Sequence, residues 1–125
     1  MRMLPTLALA VFLAPADAAR GDTTAAIPVI EIVQFRLVPG SDPAVFISLA
    51  QDTEAPLRRQ PGFVSRRLVQ GTDGNWTDII EWTSLAAATT AAAAIMAEPD
   101  FAPFGAAIDM TTVKMSHPAL VWRMD

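Results

Sequence analysis

Phe63 to Pro99, FVSRRLVQ-GTDGN-WTDIIEWT-SLAAATTAAAAIMAE-P, carries a hairpin followed by a helix. Residues 63–70 and 76–83 are rich in β-branched and aromatic side chains and read as two strands. Between them, Gly71-Thr72-Asp73-Gly74-Asn75 has the glycine and Asx content of a hairpin turn of four to five residues, so the two strands run antiparallel. Along the second strand, alternation separates Trp76, Asp78, Ile80 and Trp82 from Thr77, Ile79, Glu81 and Thr83. Ser84 then offers an N-cap to an alanine-rich helix that Pro99 forbids beyond about Glu98. Its small side chains let it lie close on a sheet, and Leu85, Ile95 and Met96 are expected to supply its larger contacts.

Upstream of this stretch, residues 29–37 (VIEIVQFRL) read as a strand that ends at the turn Val38-Pro39-Gly40. Ser41 or Asp42 caps a helix with Pro43 in its first turn. Val45, Phe46, Leu49, Ala50 and Thr53 share one face of that helix, and Pro56 is expected to kink or stop it. Toward the C-terminus, Phe101 to Ile108 suggests a short helical segment and Val113 to Trp122 a last strand weakened at Pro118. The order is β-α-β-β-α-β, an α+β split βαβ unit with two helices on one face of a four-stranded antiparallel sheet. Strand 1 is apolar on both faces: Val29, Val33, Phe35 and Leu37 on one, Ile30 and Ile32 on the other. Helices cover only one face, so the other is expected to meet an identical face in a homodimer.

Residues 1–18 have the three parts of a secretory signal: a basic Arg2, an apolar run from Leu4 to Leu13, and small residues at Ala16-Asp17-Ala18. The run is too short to span a bilayer, which takes about 20 residues. The expectation is an exported protein, periplasmic or secreted, with a cleaved leader over 1–18, a flexible lead-in over 19–28 and one domain over 29–123. Removing 18 of the 125 residues leaves 107, a single domain's worth.

Composition excludes several chemistries. Nine Lys and Arg against thirteen Asp and Glu give a net charge of −4, a poor match for a phosphate backbone, so no nucleic-acid partner is expected. The absence of Cys removes disulfides, thiolate metal sites and a cysteine nucleophile, and the single His, His117, removes multi-histidine metal sites. There is no phosphate loop, nucleophile elbow or dinucleotide fingerprint, so no cofactor and no metal are expected.

Four motifs then match in order: a strand ending in Pro39-Gly40; Arg59-Gln60-Pro61-Gly62-Phe63; Trp76 through Glu81-Trp82-Thr83-Ser84; and Glu98-Pro99-Asp100-Phe101. Over residues 29–117 the chain resembles the dimeric α/β-barrel superfamily, in particular antibiotic-biosynthesis-monooxygenase-like domains. The resemblance implies a ferredoxin-like β-α-β-β-α-β fold that pairs as a dimeric α/β barrel. Members include cofactor-free monooxygenases of phenolic polyketides or quinols, haem-degrading enzymes and isomerases, and the fold does not choose among them. The haem-degrading branch uses an Asn, a Trp and a His in its cleft. Those positions fall here on Val33, near Ile95 and on Gly105, which argues against haem degradation.

The remaining candidates line the expected cleft. Glu31 shares a face with Val33 and Phe35, where a buried carboxyl needs a partner, such as Arg67, or a raised pKa. It can act as a general base for a phenol or an acidic C–H, and His117 is the other candidate base. Trp82, with Phe35 and Arg67, is a candidate for binding a flat aromatic substrate. Asp78, between Trp76 and Trp82, reads as a rim or interface residue. Arg66 and Arg67 are adjacent on one strand and must point to opposite faces. Met96, Met110 and Met115 read as gap-fillers of core or pocket. Three readings follow: an oxygenase of a small hydrophobic or aromatic molecule, a non-catalytic binding homodimer, or an interaction module whose gap is filled by Phe35, Phe46, Phe101 and Phe104.

Overall fold

The structure, a computed structural model, describes residues 26–125. The leader expected over 1–18 and most of the lead-in lie outside the described residues. Four strands, β1 (Val29–Leu37), β2 (Phe63–Gln70), β3 (Trp76–Trp82) and β4 (Ile108–Ser116), form one antiparallel sheet in the order β2-β3-β1-β4. Four helices, α1 (Pro43–Gln51), α2 (Glu54–Arg58), α3 (Leu85–Met96) and α4 (Phe101–Ala106), lie on one face of it. No described helix is long and apolar enough to cross a membrane.

The hairpin closes as its residues dictate: Gly74 takes φ +86° and the Gly71 N–H donates to the Asn75 carbonyl at 2.7 Å. This turn sets Gln70 opposite Trp76, Leu68 opposite Asp78 and Arg66 opposite Ile80. Asp42 caps α1 by accepting from the Ala44 N–H at 2.8 Å, with Pro43 following. The helix stops at Gln51, before Pro56, and Pro56 sits buried in the first turn of α2, where its missing N–H has no intrahelical partner to lose. Phe46, Ala50 and Thr53 are buried as the spacing predicts, but Val45 is exposed, because the apolar stripe is narrower than the sequence suggests.

Ser84 caps α3 through the Ala87 N–H at 3.0 Å. The buried side chains of α3 are Ala88, Ala91 and Ile95; Leu85 and Met96 are exposed, contrary to expectation, since the helix approaches the sheet on its alanine face. Gly62, at φ +89°, shows how close the packing is. A Cβ there would lie 2.5 Å from the Ala87 Cβ.

The last strand begins at Ile108, five residues before the predicted Val113. Its start is disguised by an irregularity: between Gln34 and Arg36 the register shifts, and the Arg36 N–H donates to the Thr112 hydroxyl instead of to a ladder carbonyl. It runs only to Ser116, not Trp122, although isolated pairing continues past Pro118 through an Ala119–Val29 bridge. The core forms two clusters. One gathers Val29, Leu57, Ile80, Trp82, Ala88, Ala91 and Ile95; the other gathers Phe35, Phe46, Ala50, Trp76, Phe104 and Ile108. Within the second, Phe46 stacks on Phe104 at 5.0 Å and meets Trp76 edge-on at 5.0 Å, a favoured geometry for aromatic pairs.

Candidate functional site

Where the two clusters meet, between sheet and helices, lies a cavity of about 280 Å³. The aromatic side chains therefore do not fill the gap. Its walls are mostly apolar, from Val33, Phe35, Ile80, Trp82, Ile95 and Phe104 among others, with Met96, Met110 and Met115 also lining it and partly exposed. The methionines are thus rim side chains, soft enough to move around a ligand. Three charged residues reach the cavity: Glu31, Arg66 and Asp78.

Arg66 and Asp78 satisfy one another. The guanidinium donates through Nε and Nη2 to the two Asp78 carboxylate oxygens at 2.9 and 2.7 Å, and through Nη1 to the Thr53 hydroxyl at 2.7 Å. It also reaches the Ala50 carbonyl at 3.3 Å and stands 5.3 Å above the Phe104 ring. Asp78 is buried, not at a rim or interface, because its neighbours of the same parity, Trp76 and Ile80, carry it under the helices. The pair ties β2 and β3 to the end of α1.

Glu31 is different. Its Oε1 accepts from the Trp82 indole N–H at 3.2 Å and lies 3.4 Å from the His117 Nε2. Burial pushes its carboxyl above the ordinary carboxylate range, Asp78 adds to the rise, and the His117 and Trp82 contacts restrain it. Arg67 is not its partner. That residue is exposed and stands opposite Ile79 on the other side of the sheet. The structure brings Glu31, Phe35 and Trp82 to the cavity; His117 stands behind Glu31 and is not among the lining residues, and Arg67 lies away from it.

The raised carboxyl has a consequence for stability. The native state holds this proton more tightly than the unfolded chain does, so Glu31 contributes stability at acid pH that is lost as pH rises through its raised value. Glu31→Gln removes that dependence while keeping an acceptor for Trp82. The difference in unfolding free energy between E31Q and the wild type is expected to shift in favour of E31Q from pH 4 to pH 8, measured by urea titration. Parallel curves contradict the burial of this carboxyl.

Sequence reasoning missed Arg66, Asp78 and Thr53 as a set. The signal was present: counting back across the five-residue turn puts residues 70, 68 and 66 on the face of Trp76, Asp78 and Ile80. No group of three or more His, Cys, Asp or Glu able to hold a metal occurs among the described residues.

No protein-family model matches the sequence, and no curated protein matches it. Solved structures do. SnoaB from Streptomyces nogalater, a cofactor-independent oxygenase, is 28% identical, covering 80% of this chain and 97% of that one at a TM-score of 0.54. A protein of Caulobacter crescentus CB15, provisionally named an antibiotic biosynthesis monooxygenase, is 15% identical over 78% of this chain and 92% of its own, at 0.62. One from Bordetella bronchiseptica with the same provisional name is 16% identical over 77% and 99%, at 0.61. The described residues thus share the fold of these antibiotic-biosynthesis-monooxygenase-like structures, a four-stranded antiparallel sheet with helices on one face.

Proposed function

We propose that this chain is a cofactor-independent oxygenase of a small phenol- or quinol-like aromatic compound, with Glu31 as the general base. The observation that carries this reading is a carboxyl, its pKa raised by burial, lining a mostly apolar cavity beside an indole N–H, while the second carboxyl there, Asp78, is paired with Arg66. Similarity to SnoaB supports the reaction class. An apolar slot suits a flat ring, and a base whose pKa is raised toward the working pH transfers protons more effectively. Removal of a proton from an acidic C–H or O–H leaves an electron-rich anion, which supplies the electrons that reduce O2. For a methylene flanked by aromatic rings the balance is R2CH2 + O2 → R2C=O + H2O. The carbon is oxidised, one oxygen stays on it, and the other leaves as water with both hydrogens. Trp82 fixes the carboxyl and lies beside the bound ring; Phe35 forms a wall.

The test is turnover of 1,8-dihydroxyanthrone under 18O2. One labelled oxygen in the ketone product and one in water is expected; oxygen uptake no faster than in buffer alone overturns the reading.

Two further features belong to this proposal. The uncovered sheet face, where Ile32 stands opposite Ile79 and Ile30 beside them, meets a second copy of the chain. Native mass spectrometry is expected to give twice the chain mass for the wild type and a single chain for Ile79→Lys; a wild-type monomer contradicts the pairing. Export follows from the leader features at Arg2, Leu4 to Leu13 and Ala16 to Ala18.

A further inference from the structure

The base lies inside the cavity, but its second neighbour lies outside. His117 is held in line with Glu31 although Pro118 follows it. Ser116 pairs with Ile32 before it, the Ile30 N–H donates to the Pro118 carbonyl at 2.9 Å, and Ala119 bridges to Val29 after it. The proline therefore bends the chain without releasing the imidazole, whose Nε2 stays 3.4 Å from the Glu31 Oε1. The imidazole side chain is 23% exposed against 12% for the carboxyl. A path thus runs from cavity to carboxyl to imidazole to water. The other charged group acting on Glu31 is Asp78, on β3, which is committed to Arg66.

We propose that His117 is a proton relay between Glu31 and solvent, the device that resets the base within each turnover. The inference rests on the reading of Glu31 as base. The reaction uses the carboxyl more than once: it takes one proton from carbon before O2 adds and another as the hydroperoxide collapses, and both protons end in the water formed. Between these events the Glu31 carboxyl passes its proton to the His117 Nε2 and the imidazolium loses a proton to water. The peroxide anion formed when O2 adds takes a proton back by the reverse route to become the hydroperoxide, and the second proton that Glu31 takes from carbon goes to the departing hydroxide, which leaves as water. No electron crosses the relay, and protons balance over the cycle. His117 touches neither the cavity nor the substrate, so it acts through Glu31 alone.

The test uses the full chain and 1,8-dihydroxyanthrone, comparing wild type, His117→Ala, His117→Gln and Glu31→Gln. In H117A, kcat is expected to fall at least about tenfold, less than the roughly 10²–10⁴-fold of a positioned acid or base because His117 acts only through Glu31, with KM unchanged. Added imidazole restores kcat of H117A saturably, because the relay site opens to water, but restores neither E31Q nor H117Q, whose glutamine fills the site. H117A turning over at the wild-type rate overturns the relay and leaves Glu31 as base. A slow H117A that imidazole does not restore also overturns it, assigning His117 to holding the carboxyl in place. An inert wild type, or a fully active E31Q, overturns the reading beneath it instead.

Discussion

Replacing Asp78 by Ala is expected to cost about 3–5 kcal/mol of unfolding free energy, the range found when one partner of a buried ion pair is removed. The reason is the state in which it leaves Arg66. Side-chain exposure of Arg66 is 13% and that of Asp78 is 7%, so the guanidinium cannot turn to water without breaking its bonds to Thr53 and Ala50 and leaving the Phe104 ring. Against a total stability of roughly 5–15 kcal/mol for a domain of this size, such a loss is large. It lowers the melting temperature by roughly 12–40 °C at about 4–8 °C per kcal/mol. The double variant Arg66→Met with Asp78→Leu separates charge from packing. It removes both buried charges and replaces their volume, and is expected to fall within about 1 kcal/mol of the wild type or above it. A D78A protein as stable as the wild type contradicts the burial of the pair.

Glu31→Gln is expected to lower kcat for 1,8-dihydroxyanthrone by about 10²–10⁴-fold, the contribution of a positioned general base. Gln has nearly the shape of Glu and keeps an oxygen for the Trp82 N–H, so the cavity keeps its walls and the variant its fold. What it loses is the ability to take a proton. The loss belongs to the transition state, and kcat and kcat/KM fall together while KM holds. An interaction that merely bound the substrate would raise KM with kcat intact. Steady-state oxygen uptake distinguishes the two, and unchanged kcat in E31Q removes Glu31 from the chemistry.

Much of the fold is legible along the chain because the local signals agree with one another. Asp42-Pro43, Gly71 to Asn75, Ser84 and Pro99 each mark an element's end by a backbone constraint, and β1, β2 and β3 lie where alternation and β-branched content place them. β4 is where reading fails: the irregularity at Asp109 to Thr112 breaks the period of two, and Thr112 replaces a ladder partner with its hydroxyl. The site is legible in part. Glu31, Phe35 and Trp82 follow from parity on two strands that each carry a recognisable apolar set. The choice between Arg66 and Arg67 does not, because parity on β2 has no label until the hairpin register ties it to Trp76 and Asp78. Nor does the contact of His117 with Glu31, which depends on pairing between strands far apart in sequence and on a bend that stays in register.

The most direct test of the cavity as the binding site is an anaerobic titration of the protein, labelled with 13C at its methionine methyls, with 1,8-dihydroxyanthrone. Met96, Met110 and Met115 line the cavity, whereas Met124 is exposed near the C-terminus, outside the lining, and serves as an internal control. The expected result is saturable movement of the Met96, Met110 and Met115 resonances with Met124 unmoved. Resonances that all stay in place, or movement confined to Met124, contradict binding beside Glu31.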